Sequence, residues 1–328
     1  MSKHRTKSSR EKSLRRAERV AQRRHRAERQ RRKSERPRVD SATIRKFVEG
    51  TFGAELHAGT TLSLSNAVVG AVQAGELAIH LIGAGLATAQ DGNPKHATKQ
   101  VDRLLSNAKV DVWDLFDPWV KFVIGSRQEA LVAIDWTDYA RDGHTTIAAS
   151  LVTGHGRATP LIWKTVPKAA VTDGARNDFE DELLLRLKQV IPEGVRVTVV
   201  ADRGFGDTKL YEFLDSESWG FVIRFRECIH VRVRGERKTA GEWVPENGRP
   251  KLFRNVEVTS RDRALAGFVA VRDAGMKDAW CLATNRTDLT ARELVQMYGR
   301  RFTIEETFRD QKNPRFGLGL EGTRIKSP

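Results

Sequence analysis

The chain has 328 residues, enough for one large core or two smaller ones, and it carries 57 Lys and Arg against 42 Asp and Glu. Two cysteines and eight scattered histidines exclude a disulfide framework and a zinc-ligand spacing, and no Walker loop, dinucleotide fingerprint or internal repeat appears. The formal charge is +15, and it is placed unevenly.

Residues 1–38 hold 17 Lys and Arg against four Glu, while the other 290 residues hold 40 basic and 38 acidic side chains. The body is therefore nearly neutral. Leu14 and Val20 are the only large apolar side chains in this segment, so it has no stripe to pack on a core and is expected to be a disordered basic tail. Sequence-blind attraction to DNA phosphates and a plain solvated extension both fit it. With no amphipathic face it is not an organellar presequence, and with no signal peptide in view a reducing cytoplasm suits the two cysteines.

Residues 39–122 read as a helical domain. Ser63 to Ala89, rich in Ala, Gly, Val and Leu, predicts close helix packing, while Gln73, Glu76 and His80 break the run and exclude a membrane span. Gly92-Asn-Pro94 interrupts the chain, and a second helix is expected over 96–107. Its polar side carries Lys95, Lys99, Gln100 and Arg103, either a DNA-binding face or a solvated one.

Residues 123–227 predict a mixed α/β sheet. Strands near 130–136, 145–152 and 158–166 look antiparallel, and then helix and strand alternate: helix 177–190, strand 196–201, helix 208–218, strand 220–226. From 228 to 287 short alternating segments separated by Gly, Asn, Asp and Pro predict antiparallel sheet. Arg224, Arg226, Arg232 and Arg234 recur in period two, which gives strands here a basic face.

Residues 290–313 predict one helix, opened by the Thr290/Glu293 capping box and followed by Pro314. At about 100° per residue, Tyr298, Arg301, Glu305 and Lys312 share a narrow stripe beside the apolar Met297, Ile304 and Phe308. Glu305 is thus expected at the edge of a buried face, where a lone carboxylate needs a cation or a metal. Glu306 points the other way and reads as ordinary surface.

Two apolar, β-branched runs also end on acids: Ala130 to Asp135, and Val197 to Asp202. Such runs suit central strands, and chemistry collects where those strands end. Asp207 is better explained as the N-cap of the helix at 208, and Asp138 lies beyond the predicted strand end. Asp135, Asp202 and Glu305 with no His/Cys set favour a hard cation, Mg²⁺ or Mn²⁺. Two such ions can stabilise both the attacking and the leaving oxygen of a phosphoryl displacement.

The spacing Tyr298, Arg301, Glu305, Lys312 resembles the Tyr-Arg-Glu-Lys signature of the insertion-sequence-four family of bacterial DDE transposases. IDWT at 134–137, ADRGFGD at 201–207 and AWCLATN at 279–285 are similar to the family's upstream segments, in the same order. The resemblance covers about residues 95–325. It implies a ribonuclease-H-like core beginning at 123–227, a β-rich insertion at 228–287, and completion of the core by the signature helix within 288–328. It further implies Asp135, Asp202 and Glu305 as a triad holding two Mg²⁺ or Mn²⁺ ions, with Tyr298, Arg301 and Lys312 gripping the phosphates around the cut. Lys99 and Arg103 would belong to the part that binds the terminal inverted repeats. Trp280 corresponds to a tryptophan that stacks on a flipped base in some members, and a plain core tryptophan fits its apolar run equally. The partners implied are double-stranded DNA, at terminal inverted repeats and target, and a second copy of the chain in a synaptic homodimer. Family members usually continue further past the signature helix, so a C-terminal truncation is expected here. An active enzyme and a non-catalytic, DNA-binding repressor of transposition are the two outcomes.

Overall fold

The computed structural model describes residues 40–172, 174–259 and 262–323. The chain divides into Met1–Ile44 and Arg45–Pro328, and the sheet and the candidate site both belong to the second unit. The basic tail 1–38 lies outside the described residues.

The first helices after the α1 segment (Ser41–Phe52) are α2 (Ala58–Ala74), α3 (Ile79–Gln90) and α4 (Pro94–Leu105). The Ser63–Ala89 stretch is thus two helices, bent by 94°, because Gly75 adopts the left-handed φ of 70° that ends α2. The close packing is real: a Cβ on Gly70 would lie 2.3 Å from the Ile82 carbonyl oxygen, and one on Gly85 equally close to that of Gly70. Asn93 caps α4 by accepting from the Lys95 amide, with Pro94 at the first helical position, so this helix starts two residues before the expected 96. Among the described residues no single helix is long and apolar enough to cross a membrane.

Helix α5 (Val112–Ile124) buries Phe116, Val120 and Ile124, one stripe at i, i+4, i+8. The helical residues 45–122 and the sheet belong to the same compact unit. The remaining elements are β1 (Glu129–Tyr139), β2 (His144–Val152), β3 (Ala158–Pro167), α6 (Ala175–Val190), β4 (Arg196–Ala201), α7 (Thr208–Ser216) and β5 (Gly220–Phe225). They continue with β6 (His230–Val233), β7 (Glu236–Thr239), β8 (Lys251–Val258), β9 (Arg263–Val271), β10 (Trp280–Thr284), α8 (Ala291–Gly299) and α9 (Phe302–Lys312). All ten strands form one sheet, in the order β3-β2-β1-β4-β5-β10-β9-β8-β6-β7. This mixed α/β architecture, a large mixed sheet with helices, fits a ribonuclease-H-like transposase fold. Strands from the 228–287 segment do not form a separate sheet, since β10 pairs antiparallel with β5 and extends the same ladder.

Strands β1, β4 and β5 run parallel at the centre, and period two sorts their side chains onto two faces. Val132, Ile134, Val199, Ala201, Phe221 and Ile223 pack towards α5, α6 and α7. Ala133, Val200, Val222 and Leu282 pack towards Leu294, Tyr298, Ile304 and Phe308 of α8 and α9. Strand β1 extends three residues beyond the expected 136, because Asp138 and Tyr139 still pair with Thr145 and His144 of β2. Asp138 is therefore within the strand, where it pairs with Lys168 at 2.7 Å.

The predicted single helix over 290–313 is two. The Arg301, Thr303 and Ile304 amides bond three residues back rather than four, to Tyr298, Arg300 and Arg301. Gly299, the poorest helix former in the segment, sits at this tightened junction. Helix α9 is held to β3 by Thr307, whose hydroxyl accepts from the Ala158 amide at 2.9 Å and lies 2.8 Å from the Ala158 carbonyl. Arg157 adds an ion pair with Asp310 at 2.5 Å. Thr307→Val should cost about 2 kcal/mol in denaturant unfolding, since it orphans a buried amide. A loss below about 0.5 kcal/mol would mean that this clasp contributes little.

Candidate active site

Parallel pairing of β1 with β4 matches Ile134 to Ala201, so the next step along each strand brings Asp135 beside Asp202 on one face. That face is the one covered by α8 and α9. Asp135 pairs on its other side with Ala148 of β2, and its carboxylate also accepts from the Trp136 amide at 2.9 Å. The two aspartates meet because of register alone.

The tightened α8–α9 junction then aims two side chains at them. Arg301 donates through Nη1 to Asp135 at 3.0 Å and through Nη2 to Glu305 at 2.7 Å. Tyr298 donates its hydroxyl to Asp202 at 3.2 Å. Trp280 packs edge-on against Tyr298, ring centroids 4.8 Å apart, and the Arg301 guanidinium lies 4.7 Å from the Phe302 ring centre. Lys312 lines an open cleft of about 510 Å³ together with Asp135 and Glu305, its ammonium over the Tyr139 ring.

Burial gives these groups unequal characters. Tyr298 is fully buried and Arg301 is 3% exposed, whereas the Glu305 side chain is 49% exposed. Glu305 thus lies half-exposed beside the buried Ile304 and Phe308, and the cation that holds it is the more buried partner. Tyr298 and Arg301 likewise engage carboxylates in this structure rather than standing open to a phosphate backbone. Glu306, expected at the surface, is half-buried and pairs with Arg157 at 3.8 Å and with Arg309.

Burial pushes the Asp135 carboxyl up to about 6; Arg301 and the Trp136 amide oppose this, while Glu305 and Asp202 add to it. Burial also pushes the Tyr298 phenol up to about 12, so it remains a donor to Asp202. Burial works against the Arg301 charge, yet Tyr298, Asp135, Glu305 and Asp202 together hold its proton more tightly than usual. Lys312 is shifted down by burial, against the pull of Glu321 and Asp138.

A folded state that keeps the Asp135 proton where the unfolded chain has lost it forfeits stability as pH rises from about 4 to about 6. In metal-free protein, Asp135→Asn should therefore gain stability relative to the unmodified chain across that window. Thermal denaturation at several pH values reads the difference. Parallel curves would mean that the carboxyl titrates normally.

Trp280 is half-buried at the start of β10, beside the site rather than deep in the core. Lys99 and Arg103 are exposed one turn apart on α4, and no contact joins them to the carboxylates. Two participants escaped the sequence reading. Arg224 stands one step past the Ala201–Ile223 pair of β4 and β5, hence next to Asp202, and it is half-buried with its amino group on the Ala279 carbonyl. The period-two arginine pattern contained it without distinguishing it from Arg226, Arg232 and Arg234. On the opposite face, Glu180 accepts from the Trp136 indole at 2.7 Å and from Arg176 at 3.0 Å.

Among the described residues no three His, Cys, Asp or Glu side chains are gathered as a ready-made metal cage. Arg301 lies among the acids instead. The donors themselves are hard carboxylate oxygens, and Glu305 and Asp202 both raise the proton affinity of Asp135, a set whose chemistry fits a divalent cation such as Mg²⁺.

The chain belongs to the DDE transposases: residues 128–324 match the family described as Transposase DDE domain. No curated protein matches the chain. Solved structures with some similarity include Marinitoga piezophila Argonaute with a 5′ OH guide RNA, at 11% identity over 65% of this chain and 31% of that one, TM-score 0.22. The same Argonaute with guide RNA and target DNA matches at 11% identity over 72% and 32%, TM-score 0.22. The chain spans about a third of the length of these Argonautes, and a likeness of that size carries no weight on function.

Proposed function

We propose that the chain is the transposase of a bacterial insertion sequence of the insertion-sequence-four type. It would nick double-stranded DNA at terminal inverted repeats and join the freed 3′-hydroxyl to target DNA. One observation carries the reading: carboxylates from β1, β4 and α9, remote in sequence, meet around the Arg301–Tyr298 pair. The family membership supports it.

Asp135, Asp202 and Glu305 would hold two Mg²⁺ or Mn²⁺ ions. When bound, such ions stabilise the attacking and leaving oxygens of a phosphoryl displacement and acidify the attacking water. The chain's own groups do the rest. Arg301 has the two-pronged donor geometry that matches a phosphate as well as a carboxylate, and Lys312 adds a second cation from the cleft that Asp135 and Glu305 line. Tyr298 keeps Asp202 oriented through its hydroxyl. Trp280, edge-on to Tyr298, would stack on a base turned out of the duplex. Lys99 and Arg103 serve the inverted repeat, and a homodimer brings two ends together. Chromosomal DNA as substrate places the work in the bacterial cytoplasm, at the nucleoid.

The test incubates the full chain with duplex carrying its element's inverted repeats and Mg²⁺ or Mn²⁺. Nicks at the repeat ends followed by joined products are expected. Cleavage without joining would mark a structure-selective nuclease instead, and bound but uncut DNA would overturn the enzymatic reading.

A further inference from the structure

A second arginine-lined concavity lies on the same sheet face as the acids. It has a volume of about 620 Å³ and is lined by Arg127, Arg196, Arg286 and Arg300, with Glu129 and Asp288 as its acids. Its floor is formed by residues at the beginnings of β1, β4 and β5, such as Leu131, Thr198 and Gly220. Leu131 and Thr198 lie four residues before Asp135 and Asp202 along their strands, so the floor begins about 13 Å from the carboxylates.

The charges in this trough are not all spoken for. Arg196 pairs with Glu129, and Arg286 pairs with Asp288 at 2.7 Å. Arg286 is built in: it also donates to Thr198 Oγ1 at 2.9 Å, and a Cβ at position 220 would lie 2.8 Å from its Cδ, so Gly220 leaves it room. Arg127 spends one amino group on the Val123 and Ile124 carbonyls and, among the described residues, meets no acid. Among the described residues the exposed Arg300 guanidinium has neither an ion pair nor a hydrogen bond. The trough therefore carries two uncompensated cations.

Arg300 and Arg301 are consecutive, and the tightened α8–α9 junction turns them into different sites. Arg301 enters the carboxylate centre while Arg300 lines the trough. We propose that this trough binds the phosphodiester backbone of duplex DNA, away from the strand position at the acids and without reading bases. The inference rests on the transposase reading only in taking duplex DNA as the ligand. Four arginine forks of which two are free, open to solvent along a sheet face, suit a run of phosphates rather than a single small anion.

The test measures fluorescence anisotropy of two labelled duplexes, one with the inverted repeat and one unrelated, bound to the full chain in EDTA. Salt is varied between about 50 and 200 mM. For the Arg127→Ala/Arg300→Ala variant, the slope of log affinity against log salt should become shallower by about two for both duplexes. The unmodified chain should then gain about tenfold more affinity than the variant over that range. Arg300→Glu alone, which leaves the α5 carbonyls capped, should make the slope shallower by at least about one. Arg237→Ala, an exposed arginine on β7, should leave it unchanged. An unchanged slope in both trough variants would overturn the proposal, and so would a loss confined to the inverted-repeat duplex, since phosphates are common to both. No cleavage occurs in EDTA, so a failure to nick, which would sink the transposase reading, leaves this result standing.

Discussion

Alanine at Asp135, Asp202 or Glu305 should each abolish nicking of repeat-bearing DNA while leaving DNA binding in place. The stabilisation of developing charge at a divalent centre amounts to several kcal/mol, so each loss should exceed about a thousandfold. Double variants should be no worse than single ones, because groups acting as one unit are not additive. Asp135→Asn separates charge from shape: it keeps the acceptor for the Trp136 amide and should be as inactive as the alanine variant. Glu305→Ala is the most informative of the set. Its side chain is half-exposed, so stability should change by less than about 1 kcal/mol and any loss of nicking cannot be laid to unfolding. Full activity in any one of the three would remove that residue from the triad.

Arg301→Ala should be the most destabilising single change at the site, on the order of 3 kcal/mol. It removes a guanidinium that is 3% exposed, strips Asp135 of its cation, and leaves the Tyr298 and Phe302 rings without the plane packed against them. The discount from a fully buried pair comes from Glu305, which water can solvate once released. Arg301→Lys should recover only part of the stability, since one ammonium cannot span Asp135 and Glu305 as the planar fork does. Chemical denaturation in EDTA reads both variants. Divalent ions should restore the alanine variant more than the unmodified chain, because they would supply the charge that the arginine no longer gives. If metal protects both equally, Arg301 is not the counter-ion of the metal-free acids.

The central strands were legible in sequence because burial on both faces writes an unbroken apolar run, as in Val197 to Ala201, and because Asp202 ends it. Asp135 was legible for the same reason, although β1 runs on to Tyr139 through pairing with β2, which no local pattern records. The break at Gly75 was missed since glycine is also what a tightly packed helix uses, as Gly70 and Gly85 do. The α8–α9 junction was missed for a related reason. Capping box, apolar stripe and Pro314 mark the outer ends of the segment and say nothing of its middle. A stripe drawn through one unbroken helix therefore did not show that Arg301, 3% exposed, is the buried partner of Glu305. Arg224 could be found only from sheet order, which sets β5 beside β4.

The order in which the acids appear along the chain has a consequence for synthesis. A nascent polypeptide that has emerged through β5 can already pair β1 with β4 and set two aspartates side by side. The third acid lies about eighty residues later, after the segment that leads back to β10, which at usual translation speeds is several seconds of elongation. An incomplete product released from the ribosome therefore carries the scaffold and two acids but no Glu305, and should be unable to break the chromosome that encodes it.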